Sequence, residues 1–371
     1  MTDKYRFAVP CLFGLEGIAA DELRRLNMQD VNAENGRVLF SGTALDLARA
    51  NINLATGERV TILVGESRAD TFDMLFELVR AMPWERYIPK DGKFPVTGHA
   101  LNSKLHSVPD CQKIIKKAIA VRLTEKYGNT VHPENGAEFR VRFAIMNDAA
   151  SLAIDTSGAG LHKRGYRPVS VAAPLRETLA AAMVRVARFR GRDAMCDPFC
   201  GSGTIAIEAA LAAKNQAVGR SRSFTAENWS TVPQEVWVTA RDEAKAHEYS
   251  GDYDIWGGDI DNNCVEMSKA NAERAGVADI VRFEKADARS FSPEAKGGVI
   301  ISNPPYGERV MERSEAERLY KEFGAATQSM QSWKLFILSS HTEFERTFGK
   351  KATKKRKLYN GMIKCDLFMY Y

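Results

Sequence analysis

Arg192-Asp193-Ala194-Met195-Cys196-Asp197-Pro198-Phe199-Cys200-Gly201-Ser202-Gly203-Thr204-Ile205-Ala206-Ile207-Glu208-Ala209-Ala210 reads as a short buried strand, a glycine turn and an apolar helix in immediate succession. Gly201 and Gly203 let the backbone approach a ligand where a Cβ would obstruct it. Asp197 sets a carboxylate beside the turn, suited to an ammonium or a sugar hydroxyl. Taken alone, G-x-G-x-x-A is also compatible with a dinucleotide fold.

Working outward, residues 253–261 read as a second strand ending in carboxylates, followed by a helix over 262–275. A third strand, 283–288, ends at Asp287, and an apolar run, 298–302, leads into Asn303-Pro304-Pro305-Tyr306. All four signals fall at the carboxyl ends of strands, where open α/β sheets bind ligands. The natural assignment gives Asp259 two ribose hydroxyls and Asp287 an adenine amino group. Each acid alone reads more simply as a turn or helix cap, and Asp261 fits the cap role. Their order carries the argument. Pro198, Cys200 and Thr204 share the glycine turn, and Ile260 and Ala288 follow the two acids, so all five join the same pocket.

The Pro-Pro step stiffens the loop, because proline fixes its own φ and restricts the residue before it. It presents an amide side chain, a bare carbonyl and an aromatic face at the mouth of the sheet. Those groups suit a planar ring gripped by its exocyclic NH2. Asn303 and the Pro304 carbonyl accept the two N–H bonds, Pro305 holds the loop, and Tyr306 stacks on the base. Such acceptors strengthen as positive charge develops on nitrogen. A base inside a helix cannot reach this loop, so extrusion or a single strand is required.

With these residues in place, the sequence resembles the class I S-adenosylmethionine-dependent methyltransferases that act on exocyclic amino nitrogens. Residues 161–167, Leu-His-Lys-Arg-Gly-Tyr-Arg, and 173–180, Ala-Pro-Leu-Arg-Glu-Thr-Leu-Ala, resemble the signature leading into the catalytic domain of THUMP-domain RNA methyltransferases. Asn303-Pro304-Pro305-Tyr306-Gly307-Glu308-Arg309 is similar to the longer form of their catalytic loop. Within that family the chain looks closest to enzymes similar to the bacterial 23S rRNA guanine-N2 methyltransferase. Those are often fused to a second methyltransferase domain, which a chain ending at Tyr371 is expected to lack.

The resemblance implies S-adenosylmethionine as cofactor, RNA (23S rRNA first) as partner, and Pro174 and Thr178 lining the methionine end. The α/β architecture expected is a Rossmann-like doubly wound methyltransferase domain over 162–371. An α+β ferredoxin-like domain over 1–65 and a THUMP RNA-binding domain over 66–161 precede it. The alternation of strands and helices supports the doubly wound sheet independently. Lys113, Lys116 and Lys117 have helical neighbour spacing, Lys104 lies just ahead, and Arg309 borders the catalytic loop. These five are assigned to RNA, as contacts that position the substrate without reading its sequence. Adenine-N6 methylation, a tRNA substrate and a non-catalytic assembly factor stay open. The insertion over 214–253 places Asp259 far later than a nicotinamide fingerprint allows.

Lys plus Arg number 52 against 47 acids over 371 residues, for a net charge of +5, so a nucleic-acid surface must be local. No leader or membrane-length apolar run is evident, and six scattered cysteines without zinc spacing point to a reducing cytoplasm and no metal. Cys200, inside the glycine turn, reads as packing and not as a methyl-accepting nucleophile. Six basic residues among 350–357 precede a hairpin turned at Asn360-Gly361.

Overall fold

The computed structural model describes residues 4–128, 130–168, 175–306 and 312–371. The front half runs β1 (Tyr5–Pro10), α1 (Glu16–Arg25), β2 (Gln29–Glu34), β3 (Arg37–Gly42), α2 (Ala44–Asn53) and β4 (Thr61–Arg68). It continues through α3 (Phe72–Ala81), β5 (Val96–Leu101), α4 (Val108–Tyr127), β6 (Val141–Met146) and β7 (Ala149–Asp155). These seven strands form one sheet in the order β2-β3-β1-β4-β7-β6-β5. The antiparallel β4–β7 ladder, Thr61 opposite Asp155, joins the two expected front units into a continuous surface. A single apolar core serves both, from Phe7 and Phe40 through Ile62 to Ile115 and Phe143. β2 carries no alternating apolar pattern, because it is an edge strand with no buried residue.

The back half contains α5 (Glu177–Val186), β8 (Ala194–Asp197), α6 (Thr204–Ala213), α7 (Gln234–Ala246), β9 (Ile255–Asp259), α8 (Asn262–Ala275) and β10 (Val281–Lys285). Then come β11 (Gly298–Ser302), α9 (Arg313–Thr327), β12 (Trp333–Ser339), α10 (Phe344–Phe348), β13 (Lys354–Asn360) and β14 (Ile363–Tyr370). Their sheet has the order β10-β9-β8-β11-β12-β14-β13, parallel from β10 to β12, with β14 antiparallel to both its neighbours. Successive residues of β11 and β12 feed opposite cores. Val299, Ile301, Phe336 and Leu338 pack with α5 and α6, while Ile300, Leu335 and Ile337 pack with α9 and α10. Both faces of the sheet are therefore covered, which explains the unbroken apolar runs Val299 to Ile301 in β11 and Leu335 to Leu338 in β12. The chain leaves β8 toward β9 on one side and returns from β10 to β11 on the other. That reversal opens a crevice beyond the ends of β8 and β11.

The insertion before β9 ties the halves together. Phe224, Trp229 and Trp237 belong to the front core although they lie within the back half of the sequence. Trp229 stacks on Phe139 at 4.5 Å and donates to the Glu138 carbonyl at 2.8 Å. Arg49 on α2 forks onto Glu243 of α7 with two bonds of 2.6 Å. Gly219 packs so closely that a Cβ would lie 2.8 Å from the Ile52 carbonyl. In exchange, Leu15 from the front half is fully buried in the catalytic core. Among the described residues no helix is long and apolar enough to cross a membrane.

Trp229→Ala is expected to cost about 3–5 kcal/mol of stability, from cavity formation at a buried indole. Trp229→Phe keeps the stack and loses mainly the hydrogen bond, about 1 kcal/mol. Urea unfolding midpoints check both, and an alanine variant as stable as the native chain would show the insertion to be a passive passenger.

Candidate active site

The crevice is organised by Asp197, at the end of β8 and 1 % exposed. Its carboxylate accepts from the Ser302 hydroxyl at 2.6 Å and from the Phe199 amide at 3.2 Å. Burial pushes the Asp197 carboxyl up to about 7, the Asp259 charge adds to the rise, and the two hydrogen bonds oppose it. Ser302 closes β11, so this one bond sets Asn303 beside the glycine turn.

The turn itself is built from glycine for two different reasons. Gly203, at φ 78, faces Phe283 and Ser268, where a Cβ would come within 2.9 Å of each. Gly201, at φ 54, has open space on its Cβ side. The turn is held by Ser268, which donates to the Gly201 carbonyl at 2.9 Å, and by Asn271, which donates to the Ser202 carbonyl at 2.9 Å. Cys200 is buried against Ser268, and burial lifts its thiol well above the ordinary value, so it packs and does not attack. Pro198 is buried in the same turn.

Asp259, at the end of β9, accepts from the Gly201 amide at 2.9 Å and from the Asp261 amide at 3.0 Å. A carboxylate has about four acceptor sites, so capacity remains for a vicinal diol. Beside it Ile260 is 59 % exposed, an apolar side chain at the mouth of a polar crevice. Open space at Gly201, an anchored carboxylate and a bare aliphatic face fit the ribose and flat base of S-adenosylmethionine. Asp261 caps α8 through the Asn263 amide, as expected.

Other assignments change. Asp287 is occupied by Arg289, whose Nε lies 2.9 Å from both carboxylate oxygens. Those hydrogen bonds hold the Asp287 carboxyl below its ordinary range. Asp287 therefore stabilises its own turn, and its reach toward an adenine amino group requires displacing a guanidinium. Ala288 behind it is buried. Thr204 accepts from Arg167 at 2.8 Å and Thr178 donates to Glu58 at 2.6 Å, so both hydroxyls are already committed. Glu58, from the front half, also meets His162 at 3.3 Å and Arg176 at 3.4 Å. Burial alone would raise the Glu58 carboxyl, but the bonds from His162 and Thr178 and the nearby positive charge bring it below the ordinary value. Pro174 and Arg309 lie outside the described residues.

In the catalytic loop, the Tyr306 hydroxyl bonds the Asn303 side-chain oxygen. Its ring is not a free platform. It packs against the catalytic core, with its hydroxyl also beside Cys365 and Asn360, and burial raises that hydroxyl well above its usual pKa. The Pro305 carbonyl is taken by Tyr320 of α9 at 2.5 Å. Among the described residues none donates to the Pro304 carbonyl. The loop thus offers Asn303 and Pro304 as acceptors, while Tyr306 orients the amide and does not lie open for stacking.

The lysines divide. Lys104 and Lys113 are exposed, with Lys104 paired to Asp70 at 2.7 Å and Lys113 3.9 Å from Asp110. Lys116 turns inward, 3.7 Å above the Phe94 ring, and pairs with Glu134. Lys117 sits 5.9 Å from the Phe76 ring on α3. The shared cationic face expected from the spacing is broken, because Phe94 and Glu134 supply Lys116 with a better partner than solvent.

Three residues that complete the site went unassigned: Ser302, Tyr320 and Glu58. Ser302 carried a faint signal, as a hydroxyl ending an otherwise apolar strand. Tyr320 and Glu58 carried none, since their partners lie 15 and 120 residues away.

Comparison with known proteins gives three family matches along the chain. Residues 164–368 match the RMKL-like methyltransferase domain, 6–61 the RlmL ferredoxin-like domain and 69–155 the THUMP domain. YpsC of Bacillus subtilis (strain 168), provisionally named an RNA methyltransferase, is 43% identical over 371 residues, covering 99% of this chain and 96% of its own length. Ribosomal RNA large subunit methyltransferase K/L of Psychromonas ingrahamii is 31% identical over 98% of this chain, which spans 50% of that longer protein. The crystal structure of SMU.472, provisionally named a methyltransferase, in complex with SAH superposes with a TM-score of 0.94 at 39% identity, covering 100% of this chain and 99% of that one. The chain belongs to the RMKL-like methyltransferase family, with RlmL-type ferredoxin-like and THUMP domains in front of the catalytic domain.

Proposed function

We propose that this protein transfers a methyl group from S-adenosylmethionine to the exocyclic N2 amino group of a guanine in 23S rRNA. Methylation of RNA is carried by the names of its relatives, and the large ribosomal subunit by those of the K/L proteins. SAH, found in SMU.472, is the cofactor after its methyl group has left. The observation that supports the chemistry most is the 2.6 Å bond from Ser302 to Asp197. It supports a reading in which Asn303, the residue after Ser302, serves as the amide acceptor beside the pocket that receives the methyl donor.

S-adenosylmethionine supplies, when bound, a methyl group on a sulfonium sulfur, already activated for attack. The chain must do the rest by holding and orienting. Asp259 and the Gly201 side of the turn receive the sugar, and Ile260 covers the base. On the acceptor side, a guanine amine is a poor nucleophile, because its lone pair is conjugated into the ring. Asn303 Oδ1 has a second lone pair beyond the one used by Tyr306, and Pro304 offers its carbonyl. Accepting both N–H bonds turns the nitrogen lone pair toward the methyl group and stabilises the positive charge that grows there. Fixing both reactants in one crevice replaces a bimolecular encounter. No strong base is required, since the methylated ammonium sheds its proton readily.

Nucleoside mass spectrometry of a deletion strain tests the reading. It predicts loss of N2-methylguanosine from 23S rRNA with tRNA unchanged. Loss of N6-methyladenosine instead would move the chemistry to adenine, and a change confined to tRNA would move the substrate. Asn303→Ala is expected to lower kcat by about 100-fold or more, the scale of losing one aligned charge-stabilising group. Its dissociation constant for S-adenosylmethionine, measured by calorimetry, should change little.

Asp197 gives a pH signature with two opposite signs. Its carboxyl is raised from 3.8 to about 7, so the folded, ligand-free chain keeps a proton that the unfolded chain has released. Stability supplied by that proton is present below about pH 4 and is lost as pH rises to about 7. Affinity for the cofactor runs the other way, because a carboxylate receives an ammonium or hydroxyl better than an acid does. The dissociation constant should fall about tenfold between pH 6 and 8. Asp197→Asn should flatten both profiles, and an unchanged binding profile would remove Asp197 from the pocket.

A further inference from the structure

The β13–β14 hairpin has a feature that edge protection does not explain. Lysines on an edge strand are a common defence against unwanted pairing, and Lys354, Lys355 and Lys357 are exposed on β13. Met362 at the hairpin tip works against that defence, being 99 % exposed. The tip is a two-residue loop between Asn360 and Ile363, with Gly361 at φ 66 in its first position. That conformation suits a tight hairpin and holds the next side chain outward.

The two faces of this hairpin do different things. Leu358 and Cys365, directly paired, are buried in the catalytic core with Leu15 of the front half. The same side meets Tyr306, whose hydroxyl lies beside Asn360 and Cys365. Gly14 braces the hairpin from the front half, where a Cβ would lie 3.0 Å from the Lys357 carbonyl. On the opposite side, Tyr359 pairs across to Lys364, with Lys357 two positions along the same face. An apolar tip flanked by cations and an aromatic ring is thus held rigidly next to the catalytic loop.

We propose that Met362 is a positioning residue that enters the RNA stack as the target base is extruded, with Lys357 and Lys364 on the flanking phosphates. This rests on the RNA reading given above and adds to it how a paired guanine reaches Asn303. Extrusion leaves a gap and unstacks the neighbours, and apolar side chains are the usual filler for such a gap. A phosphate backbone supplies the negative charge that Lys357 and Lys364 complement. At 99 % exposure Met362 packs against none of the described residues of the cofactor pocket, so its effect should depend on RNA structure alone.

The test is transfer of labelled methyl from S-adenosylmethionine to unmodified 23S rRNA transcript, folded, and to the same transcript cut into short single-stranded fragments. Met362→Ala is expected to lower kcat on folded RNA by about tenfold or more while matching the native chain on fragments. Met362→Leu should retain most of the native rate, and Lys357→Gln with Lys364→Gln should raise KM and flatten its salt dependence. An alanine variant equal to the native protein on folded RNA, or impaired alike on both substrates, overturns the wedge. A native protein that labels neither form overturns the RNA reading, and the wedge falls with it.

Discussion

A buried carboxylate at the reversal point of a parallel sheet is the constraint on which the site depends. Asp197 is placed where the order of strands through the sheet reverses, and it has almost no contact with solvent. Charge in that position is costly unless it is bonded. Ser302 and the Phe199 amide satisfy it in part, and burial still pushes its carboxyl up to about 7. The remaining demand is what makes the pocket a receptor. One bond from β11 to β8 also ties the glycine turn to the Asn-Pro-Pro-Tyr loop, the donor and acceptor sites of the proposed reaction.

The front half is not a loosely tethered binding module. Its sheet is continuous across both units, and its core takes in Phe224, Trp229 and Trp237 from the catalytic half. Glu58 carries the connection into the pocket wall, through Thr178, Arg176 and His162. An RNA held by the front half is therefore presented to the crevice at a defined angle. On that half Lys104 and Lys113 are exposed beside Asp70 and Asp110, whereas Lys116 serves the fold.

Much of this was legible in the sequence, and the reason is chemical. Gly203 must be glycine because Phe283 and Ser268 press on it, and Asp259 must lie at a strand end because it anchors the Gly201 amide. Such requirements leave short, ordered motifs. The doubly wound sheet was readable from apolar strands covered on both faces, and β2 was not, because an exposed edge strand has no pattern to show. Pairings across long separations left no trace: Arg289 claims Asp287 locally, but Glu58 meets Thr178 only after folding. Tyr306 was misread for a related cause. An aromatic after Pro-Pro looks free until a distant hairpin covers it.

In the proposed reaction Asn303 faces a methyl-bearing sulfur across an open crevice. A crystal structure of the chain with S-adenosylhomocysteine and a guanosine-containing RNA oligomer measures this directly. Ribose is expected on Asp259, the guanine amine between Asn303 and the Pro304 carbonyl, and the sulfur about 5 Å from that nitrogen, leaving room for a methyl carbon roughly 3–3.5 Å from it. A ligand seated elsewhere, or a wall of side chains between the sulfur and Asn303, would contradict it.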